Sequence, residues 1–396
     1  MTYLEGDRAL WFLLLLLGLF SFLPVYSASS NLAFSYSGGN TVKFLIKHGI
    51  HLSFGFVLMY SVHKVNPKYY RNLPMILLPV VIVLLMITLT IGTTIGDANA
   101  SRWIRVPFIG VSFQTSELAK FALLMFVARY LTQHQETLGE FKKTFMGLVV
   151  PVGVACALIL PANFSTTALI FVLCLGLMFV GKYPIKHIAY LIGMGVAGLG
   201  LFIMLVLAFP NISNRVDTWK ARIENFSSGS AEENYQVNKA KMAIASGGIV
   251  GKGPGKSIQK NFLPQSSSDF IYAVIVEEFG LMGGLGIVLI YLLILIRVMI
   301  IATKAVDLFQ AVLAAGFGMA IIFQAFINMG VAVNLLPVTG QTLPLLSSGG
   351  SSIWMTSMAL GVILGVSRNL EPKTVKSEED SDTIDAVEQE MEPAHG

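Results

Sequence analysis

Hydrophobic positions in the 396-residue chain gather into ten long runs, near 9–29, 44–63, 74–93, 112–132, 145–162, 164–181, 187–208, 270–297, 308–334 and 350–368. About 20 apolar residues in a helix cross the hydrocarbon core of a bilayer, so each run is long enough to span it. The fourth run carries Glu117 and Lys120, and the fifth parts from the sixth at Pro161. The pattern predicts an all-α polytopic membrane protein of about ten transmembrane helices. Residues 1–370 form the membrane domain, with one large extracytoplasmic loop, 209–269, between spans seven and eight. Within that loop, Val237–Ile249 reads as an amphipathic helix, and Gly247 to Gly255 supplies five glycines for tight turns.

Composition supports this reading. Hydrophobic residues make up 54% of the chain and charged ones 13%, about half the share of a soluble protein. Mean hydropathy is +0.70. The net charge of +4 divides unevenly: residues 371–396 hold nine acidic side chains and two lysines, leaving a body near +11. The tail lacks aromatics and reads as a disordered cytoplasmic segment. The basic excess lies in loops between spans, which points to lipid headgroups or phosphates and not to nucleic acid. Arg8, the run Leu10–Val25 and Ser27-Ala28-Ser29 have the outline of a signal peptide. Glu5, Asp7 and the spans that follow argue for an uncleaved first helix.

Lysines and arginines set the expected orientation. Arg8, Lys64, Lys68, Arg71, Arg129, Lys142, Lys143, Lys182, Lys186, Arg297, Lys304 and Arg368 fall on one side. Only Lys43, Lys47, Arg102 and Arg105 fall in the short loops of the other. Both termini are therefore expected in the cytoplasm, and 209–269 outside.

Few residues suggest chemistry. Gly251-Lys252-Gly253-Pro254-Gly255-Lys256-Ser257 resembles a nucleotide-binding loop, but Val250 stands where that motif needs glycine and no strand precedes it. Its amides and lysines suit a lipid-linked phosphate instead. Asp269, at the mouth of span eight, is either an N-cap or a partly desolvated general base. Glu277 and Glu278 lie about two turns inside that span, where charge is costly, so both should face protein or a wet cavity. Glu117 and Lys120 either neutralise one another or line a substrate cavity. Gln324 and Asn328 fit interhelical hydrogen bonds. His48 and His51 read as interfacial, and Cys156 and Cys174 as small core residues. Asn211 and Asn225 head glycosylation sequons.

Taken in order, the motifs resemble those of the SEDS proteins (shape, elongation, division and sporulation), ten-span bacterial enzymes that polymerise peptidoglycan from lipid II. The resemblance rests on Val25–Ser29, Ala100–Trp103, Gln114–Lys120, Gly247–Lys260, Leu263-Pro264, Asp269–Ala273, Glu277–Gly280 and Leu335–Ser352. Thr339–Pro344 is similar to the division branch; the elongation branch usually has proline where Thr342 stands. Thr115, Asn163, Gln265, Ser267 and Ser348 depart from the usual residues.

The resemblance implies glycosyl transfer on the outer membrane face during septal wall synthesis. Asp269 would be the base on the 4-hydroxyl of lipid II. Arg102, Arg215 and Lys256 would meet the undecaprenyl pyrophosphate, and Glu117, Lys120 and Ser348 would be further substrate-facing positions. A divalent cation, magnesium or manganese, would be compatible with that chemistry, though no ligand cluster specifies one. The implied partner is a monofunctional class B penicillin-binding transpeptidase, alongside other division proteins. A lipid II flippase, an elongation-type polymerase and an inactive scaffold are the competing readings.

Overall fold

The computed structural model describes residues 5–36, 40–91, 103–105, 112–208, 233–263 and 266–370. Arg102, Arg215, Gln265, both sequons and the acidic tail lie outside them.

Among the described residues eleven helices follow in order: α1 (Arg8–Tyr36), α2 (Thr41–Lys64), α3 (Leu73–Ile91), α4 (Thr115–Gln133), α5 (Phe141–Ile159), α6 (Phe164–Val180), α7 (Ile185–Ala208), α8 (Glu233–Gly247), α9 (Ile271–Thr303), α10 (Leu308–Ala332) and α11 (Gly350–Arg368). All but α8, the helix expected within the long loop 209–269, coincide with the ten apolar runs. Eight are long and apolar enough to cross a membrane unaided. The other two are α6, with 17 residues, and α4, which carries Glu117, Lys120 and Arg129.

Three local differences separate the sequence pattern from the fold. Ser112–Gln114 is a strand, paired antiparallel with Trp103–Arg105 so that Trp103 faces Gln114. The fourth helix therefore starts at Thr115 and not at 112. The ladder supplies partners for backbone groups that would otherwise be stranded at the membrane edge. Helix α5 is opened by a π turn at Phe145–Val149. Helix α9 runs to Thr303, and its backbone breaks at Gly280 (φ 69°, ψ −171°).

Burial shows where the centre lies. Within the most apolar stretch of each helix, 72% of α10 and 78% of α11 are buried, against 6% of α7. Helix α4 is buried along most of its length between α3, α6 and α10. Polar side chains at the centre must therefore find partners within the protein, whereas α7 presents mostly apolar side chains to lipid.

At one end of the bundle, charges tie the termini together. Asp7 pairs with Arg297, Glu5 with Lys64 and Arg368 at 3.6 Å each, and Arg71 with Asp307 at 3.2 Å. The mouth of α9 and the segment between α10 and α11 lie at the opposite end. His48 contacts Ser21 Oγ at 2.8 Å and His51 packs on Trp354, so both histidines sit in helix interfaces. Both cysteines are buried thiols. Asn163 caps α6 by accepting from Thr166 N at 3.2 Å; asparagine caps as well as aspartate, so that departure is neutral for the fold.

Candidate active site at the mouth of a broken helix

Residues 333–349 connect α10 to α11 without regular structure, yet Leu343, Leu345, Leu346 and Ser347 are buried. Irregular backbone at membrane depth survives only where protein satisfies it. Here Tyr291 OH on α9 donates to Pro344 O (2.6 Å), Asn328 Nδ2 to Gln341 O (2.7 Å), and Gln324 Nε2 to Thr342 O (3.0 Å). Ser348 N donates to Ser267 O at 2.8 Å, and Ser347 Oγ to Ser268 O at 2.6 Å. The segment is thereby stitched to the end of the outer loop.

Asp269 stands at that junction. Asn328 Nδ2 also donates to Asp269 O at 2.8 Å. A Cβ added at Gly340 would lie 3.5 Å from Asp269 Oδ2, so the carboxylate rests against the segment. Asp269 is half-buried. The N-cap of α9 is Phe270, one residue later, and it makes no side-chain cap bond. The backbone thus does not place Asp269 at the cap position.

The same segment reaches the second group of predicted residues. Lys120 Nζ donates to Glu117 Oε2 (2.8 Å) and to Gln324 Oε1 (2.7 Å). Gln324 in turn holds Thr342, whose hydroxyl meets Ser352 Oγ at 2.8 Å. Glu117 and Lys120 neutralise one another, and they also line a cavity of ≈20 Å³ with Phe317 and Met355. That volume holds about one water molecule. Asp269, Glu117, Lys120 and Ser348 therefore converge on one segment. Gln341 and Thr342 complete the network; in the sequence they belonged to the Thr339–Pro344 motif, with nothing to mark them as partners of Gln324 and Asn328.

The glycine-rich loop does something else. Its amides dock on the broken backbone of α9: Lys252 N donates to Glu277 O (3.0 Å) and Gly253 N to Glu278 O (2.9 Å). In return, Leu281 N donates to Gly248 O (2.9 Å) and Met282 N to Ile249 O (3.2 Å). A Cβ at Gly251 would lie 2.2 Å from Glu278 O, and one at Gly280 2.2 Å from Ile249 O. Only glycine permits this approach.

Glu277 and Glu278, both buried, are met by the same loop. Glu277 accepts from Lys252 Nζ (2.7 Å), Ile258 N (3.1 Å), Gln259 N (3.2 Å) and Ser257 Oγ. Glu278 accepts from Ser257 N (3.2 Å) and Ser27 Oγ. Lys260 Nζ reaches Ser27 Oγ (3.0 Å) and Gly255 O (2.7 Å). Both glutamates face protein, as expected. The expectation of a phosphate cradle needs correcting: the amides of Lys252 and Gly253 are taken by α9, and Lys252 and Lys260 by internal partners. Lys256, exposed on the turn, is the lysine of this loop left facing solvent.

A buried carboxylate pair at a helix break, a carboxylate at the helix mouth and an inserted connecting segment define a polytopic helical membrane protein with its polar site at one end. The family model described as cell cycle protein, covering FtsW, RodA and SpoVE, matches residues 7–371. The chain belongs to this family. The probable peptidoglycan glycosyltransferase FtsW of Nitrosococcus halophilus is 33% identical over 360 residues, 89% of either chain. Stage V sporulation protein E of Bacillus subtilis is 33% identical over 364 residues, 91% of this chain and 97% of the relative. Among solved structures, a chain of a peptidoglycan synthase complex that coordinates polymerization and crosslinking superposes with TM-score 0.71 at 23% identity, covering 93% of this chain and 99% of that one. Thermus thermophilus RodA gives 0.65 at 24% identity, covering 94% and 100%.

Proposed function

We propose that the protein is a peptidoglycan glycosyltransferase. It joins the sugar of an undecaprenyl-pyrophosphate-linked donor to the 4-hydroxyl of lipid II at the outer membrane face. The observation that carries this is Asp269, a half-buried carboxylate fixed at the mouth of α9 against Gly340 and beside Asn328. In an inverting displacement it takes the proton of the incoming hydroxyl as the new glycosidic bond forms. The pyrophosphate leaves with the electron pair of the old bond. Lys256, with Arg102 and Arg215, is assigned to that departing charge, arginine's fork fitting phosphate best. Among the described residues no three His, Cys, Asp or Glu side chains converge on a metal site. Magnesium or manganese added to the assay tests whether an ion assists.

Buried charge supports chemistry over transport. Among the described residues the buried charged residues are Glu117, Lys120, Lys260, Glu277 and Glu278, in the first turns of α4 and α9 or in the outer loop; the Asp7 carboxylate, 7% exposed, is paired with Arg297 at the opposite end. A flippase would need such groups through the whole depth of the bundle.

The expected orientation, plasma-membrane location with both termini cytoplasmic, and a septal role in division belong to the same reading. They are supported by the basic residues at the end opposite Asp269 and by FtsW-named relatives. A class B penicillin-binding transpeptidase is the proposed partner, supported by likeness to the synthase complex. Exposed Leu281, Met282, Leu285 and Leu289 on α9 are the proposed contact.

Asp269→Asn tests the core of the proposal. It keeps the size and polarity of the side chain but removes the base, so polymerisation of fluorescent lipid II by purified protein should fall by about 10² or more. Near wild-type rates in that variant would remove Asp269 from catalysis.

A further inference from the structure

A cavity of ≈210 Å³ lies far from Asp269, at the basic end of the bundle between the ends of α3, α4 and α5. We propose that it binds the headgroup of an anionic phospholipid. Its polar rim is Arg129, Gln133 and His134, and its apolar wall is Met75 and Phe126. Arg129 Nη1 donates to Asn72 Oδ1 (2.6 Å) and Arg71 O. No carboxylate pairs with Arg129 among the described residues, so the rest of its fork is available to a phosphodiester. His134 Nδ1 donates to Tyr130 O at 3.2 Å, so its Nε2 offers a proton to a ligand oxygen only as the imidazolium.

The cavity is built by close packing around it. Tyr130 stacks on His134 (centroids 4.3 Å apart) and lies so near α5 that a Cβ at Gly147 would stand 2.6 Å from its ring. Gly147 sits inside the π turn of α5, and such turns recur at functional sites. Charge and apolarity both match a lipid. Met75 in the wall and its neighbours Ile76 and Met146 are 55%, 71% and 72% exposed, a flank that acyl chains would cover. A soluble phosphate would use the rim and ignore that flank.

Native mass spectrometry of the full-length protein in mild detergent tests this, with phosphatidylglycerol and phosphatidylcholine of identical chains as probes. The wild-type protein should retain phosphatidylglycerol about tenfold more than phosphatidylcholine. Gln133→Glu, at an exposed position that leaves the packing intact, should abolish that preference, as should Arg129→Gln. If Arg129→Gln fails to fold, Gln133→Glu decides alone. Equal retention of phosphatidylglycerol by wild type and Gln133→Glu would overturn the site. Displacement of phosphatidylglycerol by equimolar glycerol phosphate or inorganic phosphate would assign the pocket to a soluble anion and overturn the lipid.

Discussion

Gly280→Ala probes the docking of the glycine-rich loop on α9. The backbone at Gly280 has φ 69° and ψ −171°, a region open essentially to glycine alone and costing other residues about 1–3 kcal/mol. The new methyl would also sit 2.2 Å from Ile249 O and 2.5 Å from Gly251 N. Relief requires the loop to lift, which breaks at least Leu281 N to Gly248 O and Met282 N to Ile249 O. Two such bonds contribute about 1 kcal/mol each. The docked state should lose about 3–5 kcal/mol in all, so the population of released loop rises by about 10²–10⁴. Trypsin reads this directly. Lys260 is buried, with its ammonium on Ser27 and Gly255 O, while Lys256 is exposed and serves as an internal reference. Cleavage after Lys260 should accelerate in Gly280→Ala and not in Gly286→Ala, where a Cβ meets open space. Cleavage after Lys260 at the wild-type rate in Gly280→Ala would refute the argument.

Other perturbations test separate parts of the fold. Lys120→Met strands the buried Glu117 carboxylate and should cost about 3–5 kcal/mol, seen as a lower melting temperature in detergent; adding Glu117→Gln should recover most of it. Asn163→Asp should leave stability within about 0.5 kcal/mol, whereas Asn163→Ala should lose about 1 kcal/mol by removing the cap of α6. Single cysteines at Lys68, Lys142 and Lys182 should resist an impermeant thiol reagent applied to cells, while one at Ser230 reacts; labelling of all four would overturn the proposed orientation. Truncation after Lys376 should leave polymerisation in detergent unchanged, and a folded but inactive product would contradict that.

Hydropathy is a local sum over about 20 residues, which is why the number and order of the helices were legible without coordinates. Even α4 was visible, despite the Glu117–Lys120 pair that lowers its apolar score. Position alone left Asp269 between an N-cap and a general base, and the surrounding motif tipped it towards catalysis; Glu277 and Glu278 stood out because charge within a span must be compensated. Their partners could not be read. Ser27 meets Glu278 across 251 positions, and Lys120 meets Gln324 across 204. Hydrogen bonds depend on distance in space, and no periodicity encodes such pairs. The glycine-rich loop shows the consequence: by composition it looked like a cradle for phosphate, yet its glycines serve close approach to a broken helix. The segment 335–352 was visible as a motif, but its burial was not, because that is imposed by α4, α9 and α10 and by the serines before Asp269. Chain chemistry determined which segments enter the membrane and which residue types they carry. Packing alone decided that Asp269, Gln341, Thr342 and the Glu117–Lys120 pair share one polar network, because only in the folded bundle do those groups lose water and need one another.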